Sequence, residues 1–146
     1  MATPRPNPYS AFNFRVTIGT TPVAFQEVTG LDSENQTIDY REGTDTLNSV
    51  RKLQGMERYP NVVCKRGITG DLTLWQWRQE VRDATSTVPP YRDVTIDLLD
   101  EKGDTVMTWK LTNAWCTKLS GPSLNAKGNE IAIETMELAH DRIDIS

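Results

Sequence analysis

His140 is the only histidine of the chain and stands among Ala139, Asp141 and Arg142, so a Ser/His/Asp proton relay would have to be built on it alone. No nucleophile elbow and no phosphate-cradling glycine loop accompanies it. Asp97, Asp100, Glu101 and Asp104 supply carboxylates of the kind that bind calcium. Their spacing lacks the ligand order of an EF-hand, however, and Lys102 intervenes, which favours a solvated hairpin turn. Cys64 and Cys116 lack metal-ligand spacing and read as small buried thiols rather than a disulfide. Trp75, Trp77, Trp109 and Trp115 could stack a ligand, but no basic stripe or further aromatic cluster joins them, so core or interface anchors are the better reading. The chain is therefore expected not to be an enzyme, with no catalytic residue, metal or cofactor.

The elements that would hold these residues belong to one domain, residues 1–146. A net charge of −4 argues against a dedicated nucleic-acid binder, which needs a concentrated basic face, while leaving a passive acidic conduit open. Only 37% of the residues are hydrophobic and threonine is abundant. That fits a β protein wetted on one side, or one that completes itself by association. The opening residues hold no apolar run of signal-peptide length, and no stretch of about 20 apolar residues occurs, so no membrane anchor and a cytosolic site of synthesis are expected.

Along the chain, residues 1–9 are rich in proline and read as an extended arm. Phe12, Phe14, Val16 and Ile18 alternate with polar residues as in a half-buried strand, and a second strand carries Val23, Phe25 and Val28. Residues 33–41 are extended but offer only Ile38 and Tyr40 as apolar side chains, so burial alone cannot hold them in place. Residues 41–58 show neither period and read as a long loop, with Leu47, Val50, Leu53 and Met56 recurring every three residues as contacts to another surface. A strand over 59–67 and a helix from Asp71 to about Arg82 follow. A hairpin then turns at 100–104, pairing the face of Val94, Ile96 and Leu98 with that of Met107, Trp109 and Leu111.

Residues 113–143 form a second, longer hairpin with Gly121, Pro122, Asn125, Gly128 and Asn129 in its connection. Ile131 and Ile133 lie on one face of its second strand, Met136 and Leu138 on the other. Either a bulge restores the phase near Glu134 and Thr135, or a neighbouring copy covers the extra face.

The segments FNFRVTIG, EVTGLDSENQTIDYREG, YPNVVCKRGIT, NAWCTKLSGP and GNEIAIETMELAHDRI, in this order, resemble the inner tube proteins of contractile phage tails and contractile injection systems. The resemblance runs from about residue 7 to 143. It implies a small antiparallel β-sandwich or barrel with one α-helix, assembling into six-fold rings around a shared β-barrel and stacking into a tube. The implied partners are further copies of the chain, a contractile sheath, baseplate and spike proteins, and protein or DNA cargo in the lumen. Carried over by segment, the lumen wall would use Gln36, Ile38, Tyr40, Val62, Cys64, Lys65, Thr117, Lys118, Ile131, Ile133, Glu134 and Met136. Contacts between subunits and rings would fall to Leu47, Val50, Leu53 and Met56, and to Asp100, Glu101 and Asp104 at the hairpin tip. Gln54 stands where the family is expected to carry proline, so a baseplate-proximal variant is an alternative to the main tube subunit. A monomeric β-barrel using its tryptophans for a small ligand is the alternative from a different class.

Overall fold

The computed structural model describes residues 4–44, 46, 49–83 and 90–146. Among these described residues ten strands and one helix are formed: β1 (Phe14–Ile18), β2 (Thr21–Val23), β3 (Glu27–Thr29), β4 (Glu34–Tyr40), β5 (Arg51–Arg58), β6 (Val62–Gly67), α1 (Thr73–Arg82), β7 (Arg92–Leu99), β8 (Thr105–Ser120), β9 (Ile133–Ala139) and β10 (Arg142–Ile145). Eight strands make one antiparallel sheet in the order β2-β1-β7-β8-β9-β6-β3, with β10 added on β8, while β4 and β5 pair only with each other. Alternation supplies the core: Val16 and Ile18, Val62 and Cys64, Val94 and Ile96, and Met136 and Leu138 each turn inward from a strand whose intervening residues face out.

The expected strand through Val23 and Val28 is two strands. Gln26 and Glu27, both exposed, break the alternation; Val23 pairs with Val16 at one end of the sheet, and Val28 pairs with Cys64 at the other. Residues 24–26 thus span from one sheet end to the other, and the sheet curls until its ends approach. α1 packs against β8, burying Leu74 and Trp77. Asp71 serves its N-terminus by accepting a hydrogen bond from the Thr73 amide at 3.0 Å, although Leu72 is the residue at the cap position. Trp77 donates its indole N–H to the Pro90 carbonyl at 2.7 Å, so this tryptophan is sealed in the core with its one polar atom satisfied.

β8 merges two strands expected separately. Its first part pairs with β7, and along its other edge β10 and then β9 follow. The change of partner falls at Asn113, whose φ of 53° puts it in the left-handed region. Its side-chain amide donates to Asp141 at 3.0 Å, and the Asp141 amide donates to Thr112, so the kink and the gap between β9 and β10 are tied together. Asn113→Val should cost about 2 kcal/mol, since a β-branched residue is strained there by about 1–2 kcal/mol and the tie is lost as well. Asn113→Gly should cost less, because glycine accepts the backbone angle. Urea midpoints of the two variants check the order.

The bulge sought near Glu134 lies across the ladder instead, in β8, where the register shifts between Cys116 and Lys118. β9 runs without interruption, so Ile133 stands on the face opposite Met136 and Leu138. Ile131 precedes the strand and is 79% exposed.

Candidate functional site

Residues 41–58, expected as a loop, are in part a strand: β5 pairs along its length with β4 in an antiparallel hairpin. Period reading missed β5 because its sequence, RKLQGMER, has no alternation to find. The register explains why. Thr37 faces Gln54 but Asn35 faces Glu57, so β5 holds one extra residue, and Leu53 and Met56 come to the same side despite their odd spacing. Gly55 sits in that bulge, where a Cβ would lie 2.7 Å from the Gln36 carbonyl oxygen. Such a contact requires the bulge to shift.

One face of the hairpin therefore carries Ile38, Tyr40, Leu53 and Met56, with Ile38 directly opposite Leu53. The other carries Asn35, Thr37 and Asp39 against Lys52, Gln54 and Glu57. All four apolar side chains are open to water, Met56 by 78%, and among the described residues neither strand packs extensively on another element. A two-stranded hairpin is marginal by itself in water, and an apolar face of this kind marks a surface meant to be covered. Arg51 lies over the Tyr40 ring at 5.5 Å and pairs with Glu42 at 3.7 Å. Val50 is exposed, and Leu47 lies outside the described residues.

The hairpin joins the body at Gly30 and at Tyr59–Pro60. Gly30 has φ 89°, and a Cβ there would collide with the Asn61 carbonyl, so only glycine fits this close approach. His140 is buried beneath this root. Its Nε2 donates to the Pro60 carbonyl at 3.2 Å, its ring tilts against Tyr59, and Nδ1 has no partner. Among the described residues neither nitrogen meets a hydroxyl or a carboxylate.

The remaining expected site residues divide by face. Val62, Cys64 and Met136 are fully buried in the core, and Glu134 turns inward to bind Arg66, so these four side chains cannot line a lumen. Their strands present the alternate residues instead: Val63 and Lys65 of β6, and Ile133, Thr135 and Glu137 of β9. On this outer face Lys65 pairs with Glu27 at 3.7 Å, and Lys118 stands opposite Glu137. The Thr117 hydroxyl is occupied by the Glu137 carbonyl at 3.1 Å.

At the β7–β8 turn, one Asp100 carboxylate oxygen accepts from the amides of Lys102 and Asp104, each at 2.9 Å, and Gly103 takes φ 90°. Asp104 is exposed. Glu101 is held by Arg5 at 2.9 and 3.0 Å, and Arg5 also stacks on Tyr9. The Asp100 carboxylate thus serves the turn and that of Glu101 the N-terminal arm, and among the described residues no cluster of His, Cys, Asp and Glu could hold a metal.

Cys64 and Cys116 are free and buried, and burial pushes the Cys64 thiol up to about 12, which leaves it unreactive. No helix among the described residues is long and apolar enough to cross a membrane.

A curled β body with a projecting hairpin, apolar on one face and uncovered, defines a subunit of an assembly rather than a self-sufficient binding domain. Comparison with known families agrees: residues 10–144 match the T4-like virus tail tube protein gp19, and the chain belongs to this family. It is a structural tube protein, a component of a phage tail or a contractile injection particle. Among solved structures it is similar to a chain of the PVC sheath–tube complex of an extracellular contractile injection system, in the extended state. That pair shares 29% identity over 97% of this chain and 93% of the other, with a TM-score of 0.84. A chain of the anti-feeding prophage cap shares 30% identity over 100% and 95%, with a TM-score of 0.86. Hcp1 from Flavobacterium johnsoniae, at 12% identity over 90% and 93% with a TM-score of 0.54, shares the fold. A comparison with curated proteins gave no match.

Proposed function

We propose that this chain forms six-fold rings that stack into the inner tube, and that contraction of a surrounding sheath drives the tube through a target envelope. Its task is mechanical, and its partners are further copies of itself, a sheath protein, and baseplate and spike proteins, with protein or DNA passing through the lumen. The observation that carries the reading is the β4–β5 hairpin, whose apolar face has no cover among the described residues of one copy. Ring closure would cover it and would also remove the open sheet edges at β2 and β3.

On this reading the hairpin divides its roles by face. Ile38, Tyr40, Leu53 and Met56 meet a neighbouring copy, whereas wall positions pass from Gln36, Ile38 and Tyr40 to their alternates Asn35, Thr37 and Asp39. Size-exclusion chromatography and electron microscopy of the purified protein test the proposal. Rings or tubes with an axial hole are expected, and a 16.5 kDa monomer at every concentration would defeat it. In assembled tubes, Thr37→Cys should react with a small maleimide but be shielded from a protein-sized one. Rapid labelling by the bulky reagent would place this face on the outside.

The ligand-binding alternative is not favoured by the geometry. Trp77 is in the core, Trp75 is 45% exposed on α1, and among the described residues the paired aromatic rings are Tyr59 and His140, not tryptophans.

A further inference from the structure

The curled sheet does not close. Between β1 and β7 on one side and β3 on the other it leaves an apolar seam of about 330 Å³, walled by Phe14, Val28, Leu31, Leu98 and Trp109, with Ala11 at its margin. Phe14, Val28, Leu31 and Trp109 are only partly buried, so the core is left unfinished along this line. Among the described residues the same chain thus carries an apolar recess without a filling and an apolar hairpin face without a cover.

The two cannot meet within one copy. Leu31 walls the seam and β4 begins at Glu34, so only Asp32 and Ser33 separate them. Ile38 lies four residues further along an extended strand, about 13 Å from the hairpin root at about 3.3 Å per residue. To fill the seam in cis, the hairpin would have to reverse within those two residues, yet it projects from the body and packs on no neighbour extensively.

We infer that the seam of one copy receives the apolar hairpin face of the next, a head-to-tail contact in which Leu53 and Met56 enter beside Leu31 and Trp109. This rests on the tube reading and adds the receiving surface to it. A contact between two different patches of identical chains is heterologous: it closes into a ring where the rotation allows and otherwise continues as a helical filament. The pairing also explains why a chain with so small an apolar share can spend four large apolar side chains on an exposed hairpin. Each subunit's core is completed by its neighbour.

Cross-linking between two differently tagged variants tests this. Ala11→Cys marks the seam margin and Met56→Cys marks the hairpin, and both positions are exposed, so neither change threatens the fold. The native Cys64 and Cys116 are fully buried and stay silent. The two proteins are mixed, assembled, and treated with a short bismaleimide. A dimer joining the two tags should appear at least ten-fold above the yield from either variant alone. Assembled tubes in which both thiols accept a monofunctional maleimide, yet no mixed dimer forms above the single-variant level, would overturn the seam as receiver and leave the tube reading standing. Failure of the unsubstituted protein to form rings or tubes at any concentration would overturn the tube reading, and this inference with it.

Discussion

Leu53→Asp should leave the subunit folded and abolish its assembly. In one copy Leu53 contacts little beyond Ile38 across the ladder, so the thermal midpoint of the monomer should move by less than a few degrees. In an assembly the new carboxylate would be buried without a partner, at a cost of several kcal/mol per contact. Since about 1.4 kcal/mol is tenfold in an equilibrium constant, a cost of about 4 kcal/mol raises the concentration needed for assembly roughly a thousandfold. The same charge on the opposite face supplies the control: Thr37→Asp meets water and should change that concentration only a few-fold. Sedimentation across a dilution series measures both. Leu53→Asp tubes at the parent concentration, or equal damage from Thr37→Asp, would refute the division of the hairpin by face.

Strand periodicity was enough for the body of the fold and for the two long hairpins, because Val16 with Ile18, Val94 with Ile96, and Met136 with Leu138 each bury one face of an alternating strand. Asp71 was readable as the start of the helix for a similarly local reason, its bond to the Thr73 amide. β5 was hidden by its bulge, which spaces Leu53 and Met56 as no regular strand would, and by the lack of a packed neighbour to impose a pattern. β10 was missed because Arg142–Ile145 offers only Ile143 to the core. The assembly residues were legible as a segment but not as faces. Leu53 and Met56 were expected to contact a neighbour and Ile38 and Tyr40 to line a lumen, yet the register sets all four on one side of one hairpin. Strand pairing is a long-range property, and a side chain's face follows from the register, not from its own neighbours in sequence.

The largest effect on the isolated subunit should come from Arg66. Its guanidinium is 8% exposed, between β6, β9 and the start of α1. Nε donates to Glu134, and the two terminal nitrogens reach the Asp71 carboxylate at 3.3 Å and the Asp71 carbonyl at 2.9 Å. One planar fork thus joins the sheet to the residue that serves the helix N-terminus, a geometry that a lysine point charge cannot reproduce. Glu134 shares the inward face with Met136 and Leu138, and its side chain is 17% exposed, so without Arg66 it becomes a nearly buried carboxylate with no counter-charge. Breaking such a pair costs about 3–5 kcal/mol, whereas replacing both partners by apolar residues is often near neutral. Arg66→Ala should therefore remove a large part of a stability that is ordinarily about 5–15 kcal/mol. Arg66→Met with Glu134→Met should recover most of the loss, so that the double variant is more stable than either single one. The acid side carries a sign as well. Hydrogen bonds from Thr73 and the nearby Arg66 charge hold the Asp71 carboxyl below its ordinary range. A depressed folded-state value means that its contribution is present above the unfolded value and is lost as the pH falls through the folded one. Arg66→Ala removes part of that depression, so its deficit relative to the parent should narrow in acid. Urea midpoints measured at neutral pH and again below pH 4 read both effects, and a deficit that grew in acid would count against this assignment of charges.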